Sequence, residues 1–258
     1  MKMIEPINFF EYDHNFCEAS IYSVQKHPEY LNSISSLFIT FIGLNALMKP
    51  HTYFLLHTLY SALAINGITS FFYHWYNNIG WGLLDRMSMI LIALASTYIF
   101  LTHIPMFIKL EKWKRKKRMM NCIHLLVSGY FTVLLTIAGL HMETIFNFLF
   151  SLFLGSLIVY MFLVNKYKYL LEIPSDITIL GWKGVWYIAI SGFFWIFTEN
   201  LCAYFPFVKY TLGHVWWHIF VSYGGYLLSL IPMYFTLREG YHSIYLRYDI
   251  FGLPYLTV

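Results

Sequence analysis

Ile145-Phe-Asn-Phe-Leu-Phe-Ser-Leu-Phe-Leu-Gly-Ser-Leu-Ile-Val-Tyr-Met-Phe-Leu-Val164 contains no charged side chain. At roughly 20 residues it is as long as an α-helix must be to cross a hydrocarbon core of about 30 Å. Further stretches of the same kind surround it: Tyr30–Met48, Tyr53–Trp75, Leu83–Thr102 and Met120–Leu140 before, Trp182–Leu201 and Gly213–Phe235 after. Connectors such as Lys49-Pro-His-Thr52 and Tyr76-Asn-Asn-Ile-Gly80 are too short to hold another domain. The expected fold is all-α, a polytopic bundle of seven transmembrane helices. Its parts are an acidic arm (1–29), the bundle (30–235) and a tail (236–258).

Composition agrees: 59% of the 258 residues are hydrophobic and 12% are charged, against about 25% charged in soluble domains. Lys109, Lys112, Lys114, Arg115, Lys116, Lys117 and Arg118 crowd the connector after the third span, so this loop is expected on the cytoplasmic side. Alternation adds Lys49, Lys166, Lys168, Lys183, Arg238 and Arg247 to that side and leaves Lys2, Lys26 and Lys209 opposite. The N-terminus is therefore expected in the lumen or exterior and the C-terminus in the cytoplasm. The basic run reads as a topology signal with some attraction for anionic lipid, and not as a nucleic-acid site. The arm carries Glu5, Glu11, Asp13, Glu18 and Glu29 and has no apolar core, so it is not read as a cleavable signal; the first span is expected to act as the insertion signal.

Ionisable groups within apolar spans are costly unless paired, hydrated or bound to metal. His74 closes the second span, Asp85 opens the third, and His214 and His218 occupy the first turns of the seventh. Alternation puts all four in one leaflet. His214 and His218, four apart, share a helical face, and a third imidazole completes the ligand set of a catalytic zinc. Such a metal lowers the pKa of a water in the fourth position toward about 7. Asp85 would then shuttle a proton and the Ser70 hydroxyl would steady a developing oxyanion. The plainer alternatives are a Ser70 bonded to the carbonyl one turn back, an Asp85 that caps its helix, and an i, i+4 histidine pair that hydrogen-bonds between helices. Trp216-Trp217 is expected to serve in packing.

Ser70-x-x-x-His74, Asp85 eleven residues on, and His214-x-x-x-His218 in the last span resemble the alkaline ceramidase family of seven-span hydrolases. Phe16-Cys17-Glu18 resembles its Trp-Cys-Glu opening, and Leu31-Asn32-Ser33-Ile34-Ser35-Ser36-Leu37 is similar to its first span. Gly67-Ile-Thr-Ser70 and Leu83-Leu-Asp85-Arg-Met-Ser-Met89 are similar to two further blocks. Arg86 and Ser88 depart from the pattern, which has Glu and Pro there. Arg86 puts a cation beside Asp85, able to lower its pKa and weaken it as a base.

The resemblance implies a zinc amidase that splits ceramide or a close relative into a sphingoid base and a fatty acid, in an endomembrane or the plasma membrane. A metal among lipid-facing helices suits a substrate already in the bilayer. The wider superfamily includes progestin and adipoQ receptors, so a lipid-responsive receptor with a structural zinc is the alternative. The resemblance also implies calcium at Asn15, the Phe16 carbonyl, Glu18, Ser20 and Glu29. Asn15 and Ser20 stand at changed ligand positions and would weaken that site, with Asp13 as a compensating carboxylate; a solvated acidic arm is the other reading. A Cys17–Cys202 disulfide fits both the family and the shared oxidising face, against two free thiols. Oligomeric state is not legible.

Overall fold

The computed structural model describes residues 8–13, 16–22, 28–49, 54–107, 126–137, 143–169, 172–241 and 243–258. Among the described residues seven helices follow one another: α1 (Tyr30–Leu47), α2 (Phe54–Tyr76), α3 (Ile79–Phe107), α4 (Leu126–Ile137), α5 (Glu143–Tyr167), α6 (Ser175–Leu201) and α7 (Gly213–Gly240). All but α4 are long and apolar enough to cross a membrane. The remainder of the expected fourth span, the basic run at 109–118, and Asn15 lie outside the described residues.

Helix ends differ from the hydropathy boundaries because capping, not apolarity, decides where a helix begins. The third helix starts at Ile79, ahead of Leu83, where Asn78 Oδ1 accepts the Trp81 N–H at 3.0 Å. The sixth starts at Ser175, directly after Pro174 and ahead of Trp182. The start of α1 is capped from outside: Glu18, on a short 3-10 turn of the arm (Cys17–Ile21), accepts the Leu31 and Asn32 N–H groups at 2.8 and 2.7 Å.

Packing is closest for α6 with α7 and for α1 with α2. A Cβ on Gly184 would lie 2.6 Å from the Gly224 carbonyl oxygen, so the α6–α7 crossing admits no side chain there. By contrast α5 touches α3 and α6 sparsely. A cavity of about 490 Å³ opens in that region, lined by side chains from α1, α2, α3, α5, α6 and α7.

Much of the expected tail is ordered. Past Gly240 the chain forms an antiparallel hairpin, β1 (Tyr245–Tyr248) with β2 (Pro254–Thr257), turning through Gly252 at φ 75°. Leu253 and Leu256 enter the core, and Tyr226 of α7 donates its hydroxyl to the Pro254 carbonyl. Apolar side chains at the end of the bundle need a cover, and the hairpin provides one.

Candidate active site

The last turn of α2, the second turn of α3 and the first turns of α7 meet at the face that carries the arm. There His74, His214 and His218 offer ligand atoms within 4.8 Å of one another, the only such group among the described residues. Their ring centroids are 4.7 to 5.2 Å apart, and all three side chains are buried.

Each Nδ1 faces a protein partner. For His74 this is Glu29 Oε2 at 2.7 Å, for His218 the Ser35 hydroxyl at 2.9 Å, and for His214 the Glu199 carboxylate at 3.4 Å. With Nδ1 turned toward these groups, Nε2 is the atom left to converge, and acceptors beside a ligand imidazole fix its ring orientation and raise its basicity. A buried set of three neutral imidazoles fits zinc. Burial pushes the Glu29 carboxyl up to about 7, opposed by the Asn32 hydrogen bond, the His214 charge and the Phe16 N–H.

Asp85 borders the cavity beside this cluster. Its Oδ1 accepts Asn66 Nδ2 at 2.9 Å, and Ser70 hydrogen-bonds the same carboxylate. From Ser70 the contacts continue to Ser36 Oγ at 3.2 Å and on to His218 Nδ1 at 3.4 Å. Gly67 allows this approach: α2 lies so close to Ser36 and Thr40 of α1 that a Cβ at this position has no room. Thus Ser70 faces Asp85, and Asp85 is held by side chains across the helix pair rather than serving only as a cap.

The two departures from the family pattern also find places. Ser88 donates to the Asp85 carbonyl at 2.7 Å and accepts from Asn66 at 2.9 Å, so it joins the group that holds Asp85. Arg86 is buried, and its Nη1 is 3.9 Å from Asp13 Oδ2, an oxygen that also accepts the Tyr73 hydroxyl at 2.8 Å. An opposite charge from the arm therefore faces this cation.

Of the residues that the resemblance implies for calcium, Asn15 lies outside the described residues, and the side chains of Glu18, Ser20 and Glu29 make hydrogen bonds close to the arm. Glu18 caps α1 and accepts from Tyr22, Glu29 takes Phe16 N–H and Asn32 as well as His74, and Ser20 donates to the Cys17 carbonyl. Asp13, the compensating carboxylate, faces Arg86 and Tyr73.

The arm lies over the site. The Phe16 ring is 4.9 Å from His74 and 4.5 Å from His214, and the adjacent Cys17 is bonded to Cys202 at the end of α6 with Cα atoms 6.0 Å apart. Glu199 joins the two features, since its other oxygen accepts the Cys17 N–H at 2.8 Å. Glu199 and the hydroxyls of Ser35 and Ser36 carry no motif that marks them as partners of distant histidines, nor does Asn66 carry one that marks it as a partner of Asp85. A charged residue within the last turn of an apolar helix was the available signal for Glu199.

Below the histidines the cavity becomes apolar, with Leu59, Ile92, Phe150, Leu157 and Ile188 in its walls. Leu59 precedes His74 by fifteen residues on α2, about 20 Å along the helix. Trp217 also borders the cavity and packs 5.4 Å from Trp195, while Trp216 is exposed and stacks on Phe220. The tryptophan pair thus divides its duties, one lining the cavity and one packing on the outside.

Residues 12–257 match the ceramidase family. The chain belongs to the ceramidase family. Alkaline ceramidases of Caenorhabditis elegans and Caenorhabditis briggsae are each 24% identical to it over 272 aligned positions, which cover 97% of this chain and 95% of either relative. As a ceramidase it is an amide hydrolase of ceramide, embedded in a membrane by its apolar helices.

Proposed function

We propose that this ceramidase cleaves its lipid amide inside the bilayer, at a zinc ion held by His74, His214 and His218. The observation that carries the reading is the position of three converging imidazoles at the head of a long apolar cavity. Zinc, when bound there, supplies a Lewis acid for the amide carbonyl and a water activated near neutral pH.

The chain's own groups do the rest. The hydrocarbon chains of the substrate bind along the apolar walls, which brings the amide to the polar end. Asp85 accepts the proton of the attacking water and returns it to the nitrogen as the C–N bond breaks, giving a fatty carboxylate and a sphingoid amine. Ser70 donates its hydroxyl to the carbonyl oxygen as charge develops, and Asn66 and Ser88 keep Asp85 in place. The Arg86 charge is met by Asp13, which limits its pull on Asp85. Phe16 and the arm limit the access of bulk water.

Orientation belongs to the same proposal. The disulfide on the arm face suits a lumenal or extracellular N-terminus, and the basic run at 109–118 suits a cytoplasmic loop.

The test is purified protein in lipid, with metal analysis and fatty acid release from ceramide. Zinc at one per chain, with release abolished by chelation and by His214→Ala, is expected. Full activity in His214→Ala would overturn the mechanism, and bound zinc with no turnover on any lipid amide would favour the receptor alternative.

A further inference from the structure

The expected cytoplasmic tail has a feature that a solvated tail does not need. At the tip of its hairpin Ile250 is 92% exposed, and Phe251 beside it is also exposed. Two adjacent large apolar side chains held out by an ordered turn require a non-aqueous neighbour.

The position of α1 identifies that neighbour. This helix has 18 residues and so spans about 27 Å, barely the thickness of a hydrocarbon core of about 30 Å. Both of its ends therefore lie near the membrane boundaries. Ile34, Leu37, Leu44 and Met48 follow one another at helical spacing and are all exposed, which marks the stripe that faces lipid. Phe41 falls in the middle of this stripe yet is only half-buried rather than exposed, because Phe251 packs edge-on against it with ring centroids 5.1 Å apart. Phe41 stands six residues before the last residue of α1, about 9 Å inside the helix end. The hairpin tip thus reaches round the bundle end and up its lipid-facing side.

The polar groups next to the tip are arranged for a boundary. Asp249 is ion-paired with Lys49 at 2.7 Å, just past the end of α1, and accepts the Phe251 and Leu253 N–H groups. Lys49 Nζ also lies 4.9 Å from the Tyr255 ring. A neutralised pair with an aromatic neighbour is suited to the headgroup level, with the apolar tip below it.

We propose that the β1–β2 turn is a lipid-inserted wedge, which places Ile250 and Phe251 among the acyl chains of the leaflet on the tail side, against the outer face of α1. The partner is the bilayer that the chain itself spans. The proposal does not depend on the catalytic reading.

It is tested on the full chain. Ile250→Cys, in a Cys122→Ser background that leaves the disulfide intact, is labelled with an environment-sensitive fluorophore and reconstituted in phosphatidylcholine vesicles. The exposure of Ile250 means that the label displaces no packed group. Loss of fluorescence with acyl-brominated lipid and no loss with aqueous iodide is expected at this position. A label at Glu239→Cys, on the exposed end of α7, should respond to iodide instead. Iodide quenching at 250, or protection there from both quenchers by a protein contact, would overturn the proposal.

Discussion

Glu29 Oε2 lies 2.7 Å from Nδ1 of His74, with neither side chain open to solvent. The carboxylate is at the entrance of α1 and the imidazole at the exit of α2, so the contact joins the arm to the histidine cluster proposed to hold the metal. Loss of an outer partner of this kind lowers metal affinity by about 10- to 100-fold. Glu29→Gln, which keeps the shape and removes the charge, should do so and reduce ceramide hydrolysis in step. Competition with a metal indicator measures the affinity; an unchanged value would show that Glu29 serves only to anchor the arm.

Glu199 holds both the Cys17 amide and the His214 face. Cutting the disulfide in a Cys17→Ser, Cys202→Ser variant removes a covalent link between the arm and α6, a change that costs about 2–5 kcal/mol in small proteins. The melting temperature in detergent should fall. Activity at a temperature where the variant is folded should fall too, because Phe16 and Glu199 lose their fixed neighbour. Glu199→Gln should reduce activity with a smaller loss of stability. Equal melting curves for the disulfide variant and wild type would contradict the first expectation.

Gly225 borders the cavity, and a Cβ there would meet nothing within 4 Å, whereas its neighbour Gly224 is locked against Gly184. The glycine therefore leaves room rather than permitting helix contact. Gly225→Leu should fill the apolar end, spare the fold and shift preference toward shorter hydrocarbon chains. A substrate series of graded chain length reads this as a change in relative kcat/KM, and a uniform loss at every length would refute it.

Burial raises the pKa of Asp249, but the Lys49 hydrogen bond, the Leu253 N–H, the Asn45 side chain and the Phe251 N–H outweigh it and hold the carboxyl at about 2, down from 3.8. The folded form thus binds its proton less readily than the unfolded one. The contribution to stability is complete above the unfolded pKa and fades as pH falls from about 4 toward about 2. Asp249→Asn should abolish this part of the acid sensitivity. Parallel unfolding midpoints for wild type and variant across that window would show that the pair contributes nothing.

The sequence carried the histidines well because their signal is local. An apolar span makes every ionisable residue conspicuous, and i, i+4 spacing puts His214 and His218 on one face. It carried Glu29 only as a member of a metal set on the arm, since nothing between residues 29 and 74 marks the approach of the two. The hairpin in the tail was not legible for a related reason. The alternation Tyr245-Leu246-Arg247-Tyr248 is short, and two-stranded pairs depend on what they pack against.

Length and apolarity alone determined that this chain crosses a membrane as a helical bundle, and i, i+4 spacing alone put His214 and His218 on one helical face. Those are properties of short windows, where helix geometry converts sequence separation directly into position. The partners of the imidazoles, the cavity and the place of the hairpin were decided only by tertiary structure. Ser35 lies 183 residues from His218 and Cys17 lies 182 from Glu199; contacts across such separations arise from how the helices pack, and a cavity is the space that packing leaves unfilled.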